Sequence, residues 1–174
     1  MANTFTLIAS NTLSSPAASV TFSSIPGTYT DLVLRMSARK SSAVGGIDLG
    51  IQFNSDTATN YSRTRVDVNS TTITSDRTSA ATSIVVTRGI QSFNSTVPTY
   101  NNLEIYLSSY TTSTNKSLSV VNVSEFNSAS WAAGLTAGLY STSSAVTSIT
   151  LLGNVGGGSF GSGSSFFLYG IKNS

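Results

Sequence analysis

Apolar and polar residues alternate with period two along most of this chain, and helical periodicity is nearly absent. Over 32–39, Leu32, Leu34, Met36 and Ala38 fall on one face, while Arg35, Ser37 and Arg39 fall on the other. That pattern predicts a strand with one dry and one wet side. Ile47, Leu49, Ile51 and Phe53 alternate in the same way with Asp48, Gly50 and Gln52, as do Leu103, Ile105 and Leu107 with Asn102, Glu104 and Tyr106. Shorter strands are predicted at 5–9, 19–22, 61–68, 83–87, 146–152 and 166–171. Within 118–123 the apolar phase slips by one residue at Val120-Val121, which predicts a bulge or a strand that changes sheet. Over 131–140, Trp131, Ala133, Leu135, Ala137 and Leu139 alternate and Gly134 and Gly138 disfavour a helix, so this too is read as a strand.

Turn chemistry separates these runs. Ile25-Pro26-Gly27-Thr28 suits a type II turn with Gly27 at positive φ, and Asn54-Ser55-Asp56 opens a loop. The stretches 69–83 and 153–165 are poor in apolar residues and are predicted to be long exposed loops. No linker divides the chain, so residues 1–174 are expected to form a single domain. The fold class expected from the pattern is all-β, with strands enough for two packed sheets.

Composition narrows the chemistry. The 174 residues include no His, no Cys and only seven carboxylates, so the usual proton-transfer groups and transition-metal ligands are missing. A non-enzymatic protein without a cofactor or transition metal is expected. Only 9% of residues are charged, and roughly one in three is Ser or Thr, so the surface is neutral and hydroxyl-rich with little self-repulsion. Nine scattered Lys and Arg residues and a net charge of +2 do not make the dense cluster that nucleic acid requires. No apolar run reaches the length of a membrane span, and residues 1–12 lack the basic and apolar regions of a signal peptide, so synthesis in the cytoplasm is expected.

Few residues stand out as candidate sites. Gly156 to Gly163 lacks the Gly-Lys-Ser/Thr ending of a phosphate loop and is read as a hairpin tip. Asp48, Asp56 and Asp67 could supply a carboxylate pair, but their spacing carries no signal of one. Asn54, Asp56 and Asn60 offer oxygen ligands of the kind calcium takes, with turn capping as the favoured role. Arg35 and Arg39 share one strand face, and Arg63 and Arg65 share another with Tyr61 and Asp67. These five residues, Arg35, Arg39, Tyr61, Arg63 and Arg65, are the candidate interface, a basic patch with an aromatic edge. The competing reading is a solvated face that discourages aggregation. The Asn69-Ser70-Thr71 sequon is of the kind this composition produces by chance.

Five segments carry a resemblance: FTLIASNTLSSPAASVTFSSIPGTYTDLVLRMSAR at 5–39, FNSDTATNYS at 53–62, NNLEIYLSSYTTSTNKSLS at 101–119, AGLYSTSSAVTSITLL at 137–152 and FFLYGIKNS at 166–174. Together they resemble small virion structural proteins of tailed bacteriophages, including phages of marine and cyanobacterial hosts. The resemblance implies a jelly-roll β-sandwich, location in the virion and homo-oligomerisation, with a trimer favoured. It also implies partners among the other virion proteins, either the major capsid protein or tail proteins. Because no N-terminal coiled coil or tail-anchoring segment precedes the domain, a capsid decoration or cement protein is the expected role. The alternative is a tail-fibre or appendage domain binding host surface glycan through aromatics such as Tyr29, Tyr61, Tyr100 or Tyr110.

Overall fold

The computed structural model describes residues 4–41, 47–69, 71–90, 99–125, 132–155 and 157–172. Twelve strands and no helix are found among them: β1 (Phe5–Thr12), β2 (Ser19–Phe22), β3 (Asp31–Ala38), β4 (Ile47–Phe53), β5 (Tyr61–Asn69), β6 (Thr72–Ala81), β7 (Ile84–Ile90), β8 (Asn101–Leu107), β9 (Lys116–Ser124), β10 (Ala132–Tyr140), β11 (Ile149–Val155) and β12 (Ser165–Ile171). They form an eight-stranded sheet in the order β1-β12-β3-β8-β9-β10-β5-β6 and a four-stranded sheet in the order β2-β11-β4-β7. Every pairing is antiparallel.

The inner faces of the two sheets meet in one apolar core. Leu32, Leu34, Met36, Ile105, Leu118, Val120 and Leu168 from the wide sheet pack with Val20, Leu49, Ile51, Phe53, Ile84, Val86 and Leu151 from the narrow one. One rung of the wide sheet shows how far this core reaches. Leu168 pairs with Leu34, Leu34 with Ile105 and Ile105 with Val120, all aliphatic and all buried. The same rung continues to Thr136, Arg65 and Asp76. Thr136 donates its hydroxyl to the Val86 carbonyl of β7, the last strand of the narrow sheet. Past β7 no further strand of the narrow sheet lies among the described residues, and along this rung the inner face of the wide sheet changes from hydrocarbon to charge.

The predicted dry face of β3 is buried as expected, and Arg35 projects from the other side. Val33 is buried although it lies on that outer side. Its neighbour Tyr106 donates its hydroxyl to Asp31 Oδ2 at 2.6 Å, and Asp31 Oδ1 accepts the Ser109 N–H at 2.7 Å, so the tyrosine ring is anchored across the strand.

Four expectations are corrected. Residues 72–81, inside the stretch expected to be a loop, form β6; an edge strand exposed along most of its length needs no apolar alternation, so its sequence hid it. The second expected loop is pinned in part: β11 runs on to Val155, and Phe160 is fully buried, exchanging backbone hydrogen bonds with Ala17. β9 has no bulge, since its pairings with β8 and β10 keep one register throughout. Instead Val120 faces the core and Val121 and Val123 face outward, so the phase slip marks apolar side chains changing faces. Gly27 does not take a positive φ, so the type II turn does not form; Ser24 adopts the left-handed region nearby at φ 54°.

Candidate functional site

The five residues of the expected basic patch are separated by the sheet. Arg35 lies on the outer face, where its Nε donates to Glu104 Oε2 at 2.7 Å, with both side chains about half exposed. Its guanidinium also stands 5.7 Å from the centre of the Phe5 ring. Arg39 follows β3, with its guanidinium 5.5 Å from the centre of the Tyr100 ring. Tyr61, Arg63 and Arg65 lie on the opposite, inner face and are buried.

The three buried residues have structural partners. The Tyr61 ring stacks on Tyr140 at 4.8 Å between centres, and its hydroxyl accepts the Phe53 N–H at 3.0 Å and donates to the Asp56 carbonyl at 3.0 Å. Burial pushes the Tyr61 phenol well above its usual range. Arg63 Nη1 meets Asp76 Oδ1 at 2.5 Å. Arg65 Nη2 meets Asp76 Oδ2 at 2.9 Å and its Nε meets Asp67 Oδ2 at 2.5 Å. Two arginines and two aspartates thus neutralise one another on the inner face of β5 and β6. They close the mouth of the sandwich where the narrow sheet ends. Beside them, Asp67 and Asn122 leave no room at Gly134, where a Cβ would sit 2.5 Å from Asp67 Oδ1 and 2.6 Å from Asn122 Oδ1.

The oxygen-rich loop after β4 is a capping device. Asp56 Oδ1 accepts the Ala58 N–H, and its Oδ2 accepts the Asn60 amide at 2.8 Å and the Tyr140 hydroxyl at 3.0 Å. Asn54 donates to the Ala145 carbonyl and accepts the Thr147 and Ser148 N–H groups, tying this loop to the segment before β11. The amide of Asn60, then the Ala58 N–H, hold the Asp56 carboxyl below its ordinary value of 3.8. A depressed folded-state pKa contributes stability that is complete above the unfolded value and disappears as pH falls through the folded one. Stability is therefore expected to fall from about pH 4 downward in a step that Asp56→Asn removes, as read by thermal melts at successive pH values. Asp48 on β4, Asp56 in the loop and Asp67 on β5 stand on different elements, the latter two each committed to the partners above.

The aromatics named for a sugar platform are also divided. Tyr61 and Tyr110 are buried, Tyr110 giving its hydroxyl to the Pro26 carbonyl. Tyr29 lies over Gly170, and Tyr100 donates to the Ser162 carbonyl at 3.3 Å. Asn69 as a side chain, Ser70 and Trp131 lie outside the described residues.

The surface that sequence reasoning missed is the outer face of the wide sheet. Phe5, Leu7, Val66, Ile73, Tyr106, Val121, Val123 and Leu135 are the exposed large apolar residues among those described, and the pairing registers put all eight on this face. Val121, Leu135 and Val66 are direct cross-strand neighbours on β9, β10 and β5, and Ile73 pairs with Val68 beside them. A shallow depression between Arg35, Asn102, Glu104, Val121 and Val123 borders the patch. The outer face of the narrow sheet is different in kind: Thr21, Thr150 and Gln52 form one of its rungs, with Thr21 and Thr150 hydroxyls 3.0 Å apart. No family model matches the chain, and neither a curated protein nor a solved structure matches it.

Proposed function

We propose that this chain is a non-enzymatic, homo-oligomeric structural protein of a bacteriophage virion, built as a jelly roll and serving as a capsid decoration or cement protein. The observation that carries this reading is the strand order. Setting aside the hairpins β5–β6 and β9–β10, what remains is one sheet in the order β1-β12-β3-β8 and another in the order β2-β11-β4-β7. With the hairpins set aside the chain crosses between the two sheets at β1 to β2, β2 to β3, β3 to β4, β7 to β8, β8 to β11 and β11 to β12, as it does in an eight-stranded jelly roll, an architecture frequent in viral capsid proteins. The two remaining hairpins pair with each other through β10 and β5 and widen one sheet by four strands. Fold alone does not assign a function, and the resemblance of the five segments to phage virion proteins adds the biological setting.

A decoration protein acts by burying surface at many symmetric positions, each contact modest and the sum large. The charge distribution favours attachment through apolar and hydroxyl surface, because Arg63 and Arg65 are already neutralised inside the fold and Arg35 is paired with Glu104. Attachment is therefore expected to survive washing of purified particles in ~1 M salt, where the Debye length is about 3 Å. The deciding experiment is quantitative mass spectrometry of virions. Hundreds of copies per particle are expected; a few to a few tens would move the chain to the tail, and none would end the virion reading.

A further inference from the structure

Over part of their length the four strands that widen the large sheet carry their polarity the wrong way round for a sandwich, although Leu118, Val120, Tyr140 and Tyr61 on the same inner face still join the core. On their inner face stand Asn122, Gly134, Thr136, Arg63, Arg65 and Asp67, while the outer face presents Val121, Val123, Leu135 and Val66. Ile73 is 71% exposed and Leu135 61%, values that belong to surface lysines more than to aliphatic side chains. These residues expose on the order of 400 Å² of contiguous apolar surface, within the ~300–600 Å² range of a monomer's largest patch, which is often a functional one.

We infer that this outer face, centred on Leu135, is the contact between two copies of the chain. Size is the first argument. Five strands from β8 to β6 at ~4.8 Å spacing, each about seven residues long, make a plate about 24 Å square. With the relief of its side chains, such a plate approaches the ~800 Å² per partner that a stable interface buries. Two pleated sheets stack face to face at about 10 Å, so the geometry needs no rearrangement.

Charge is the second argument. A face that meets its own copy must not repel it, and here Arg35 and Glu104 offset one another. A two-fold axis along β10 sets β8 of each copy over β6 of the other. Glu104 on β8 shares a rung with Ser75 on β6, two strands to either side of β10, so the axis brings each Glu104 over Ser75 of the second copy, two residues along β6 from Arg77. An isologous contact of this kind makes pairs, and it replaces the expected trimer with a dimer. The inference concerns the protein in solution and goes beyond the virion reading, which is decided separately by particle composition.

The test is sedimentation equilibrium of the full chain with circular dichroism as the control on folding. The wild type is expected at about 36 kDa, twice the chain mass of 18.0 kDa. Leu135→Lys and Val121→Lys, both on exposed positions, are expected to keep the β spectrum and weaken the pair by at least ~30-fold. Thr21→Lys, on the outer face of the narrow sheet, is expected to leave the dimer intact. A wild type that stays at 18.0 kDa up to ~100 μM overturns the inference, as does a dimer or trimer indifferent to both lysines.

Discussion

Arg65→Met is expected to destabilise the fold by about 3–5 kcal/mol, because it strips a buried cation from two carboxylates that stay behind. Arg65 is almost wholly buried, with Asp67 at 2.5 Å on its own strand and Asp76 at 2.9 Å on β6. Removal of the guanidinium leaves Asp67 without that counterion in a site from which water is largely excluded, whereas Asp76 keeps Arg63. The second substitution in Arg65→Met/Asp67→Asn takes away the stranded charge and is expected to recover a large part of the loss. Urea denaturation of the wild type, the single and the double variant reads both numbers. A cost below ~1 kcal/mol for the single variant would place these ions in a solvated environment and remove the case for a charged plug past β7.

Leu34→Asp and Arg35→Ser make the second prediction as a pair, since adjacent residues on one strand have opposite fates. Leu34 sits at the centre of the covered rung, between Leu168 and Ile105 on neighbouring strands. An aspartate there is a buried charge with aliphatic neighbours, and the expected cost is about 4 kcal/mol or more. Arg35 loses an exposed ion pair with Glu104, which is worth about 0–1 kcal/mol. Differential scanning calorimetry is expected to separate the two melting temperatures widely. Coincident melts would mean that the faces of β3 are reversed.

Much of the fold is legible in the chain because a half-buried strand writes its environment into every second residue. β3, β4, β8 and β12 are visible this way, whereas the apolar alternation that reveals β10 lies on its outer face. The capping role of Asp56 depends on Ala58 and Asn60 a few positions away, while the partners of Asn54 come from the distant segment before β11. β6 is not legible: water reaches most of its length, so nothing in TITSDRTSAA has to alternate. The candidate interface fails for a related reason. Tyr61, Arg63 and Arg65 share a face, as their spacing requires, but spacing cannot tell an exposed face from a buried one. Tyr61 packs into the core against Phe53 and Tyr140, and the two arginines take their counterion Asp76 from β6, the strand the pattern did not reveal.

By itself, then, the sequence determined that the chain is built of strands, where most of them run and which side chains share a face, because these are properties of one strand and its period of two. Only the tertiary structure decided which face is dry. The narrow sheet covers the wide one as far as β7 and stops, and that boundary is made by pairings between residues as distant as Leu32 and Leu107, or Ser19 and Leu152. The slip at Val120-Val121 and the alternation through Leu135 were present in the sequence throughout. They acquire meaning once the pairings put Val120 toward the core and Val121 and Leu135 on the outer face.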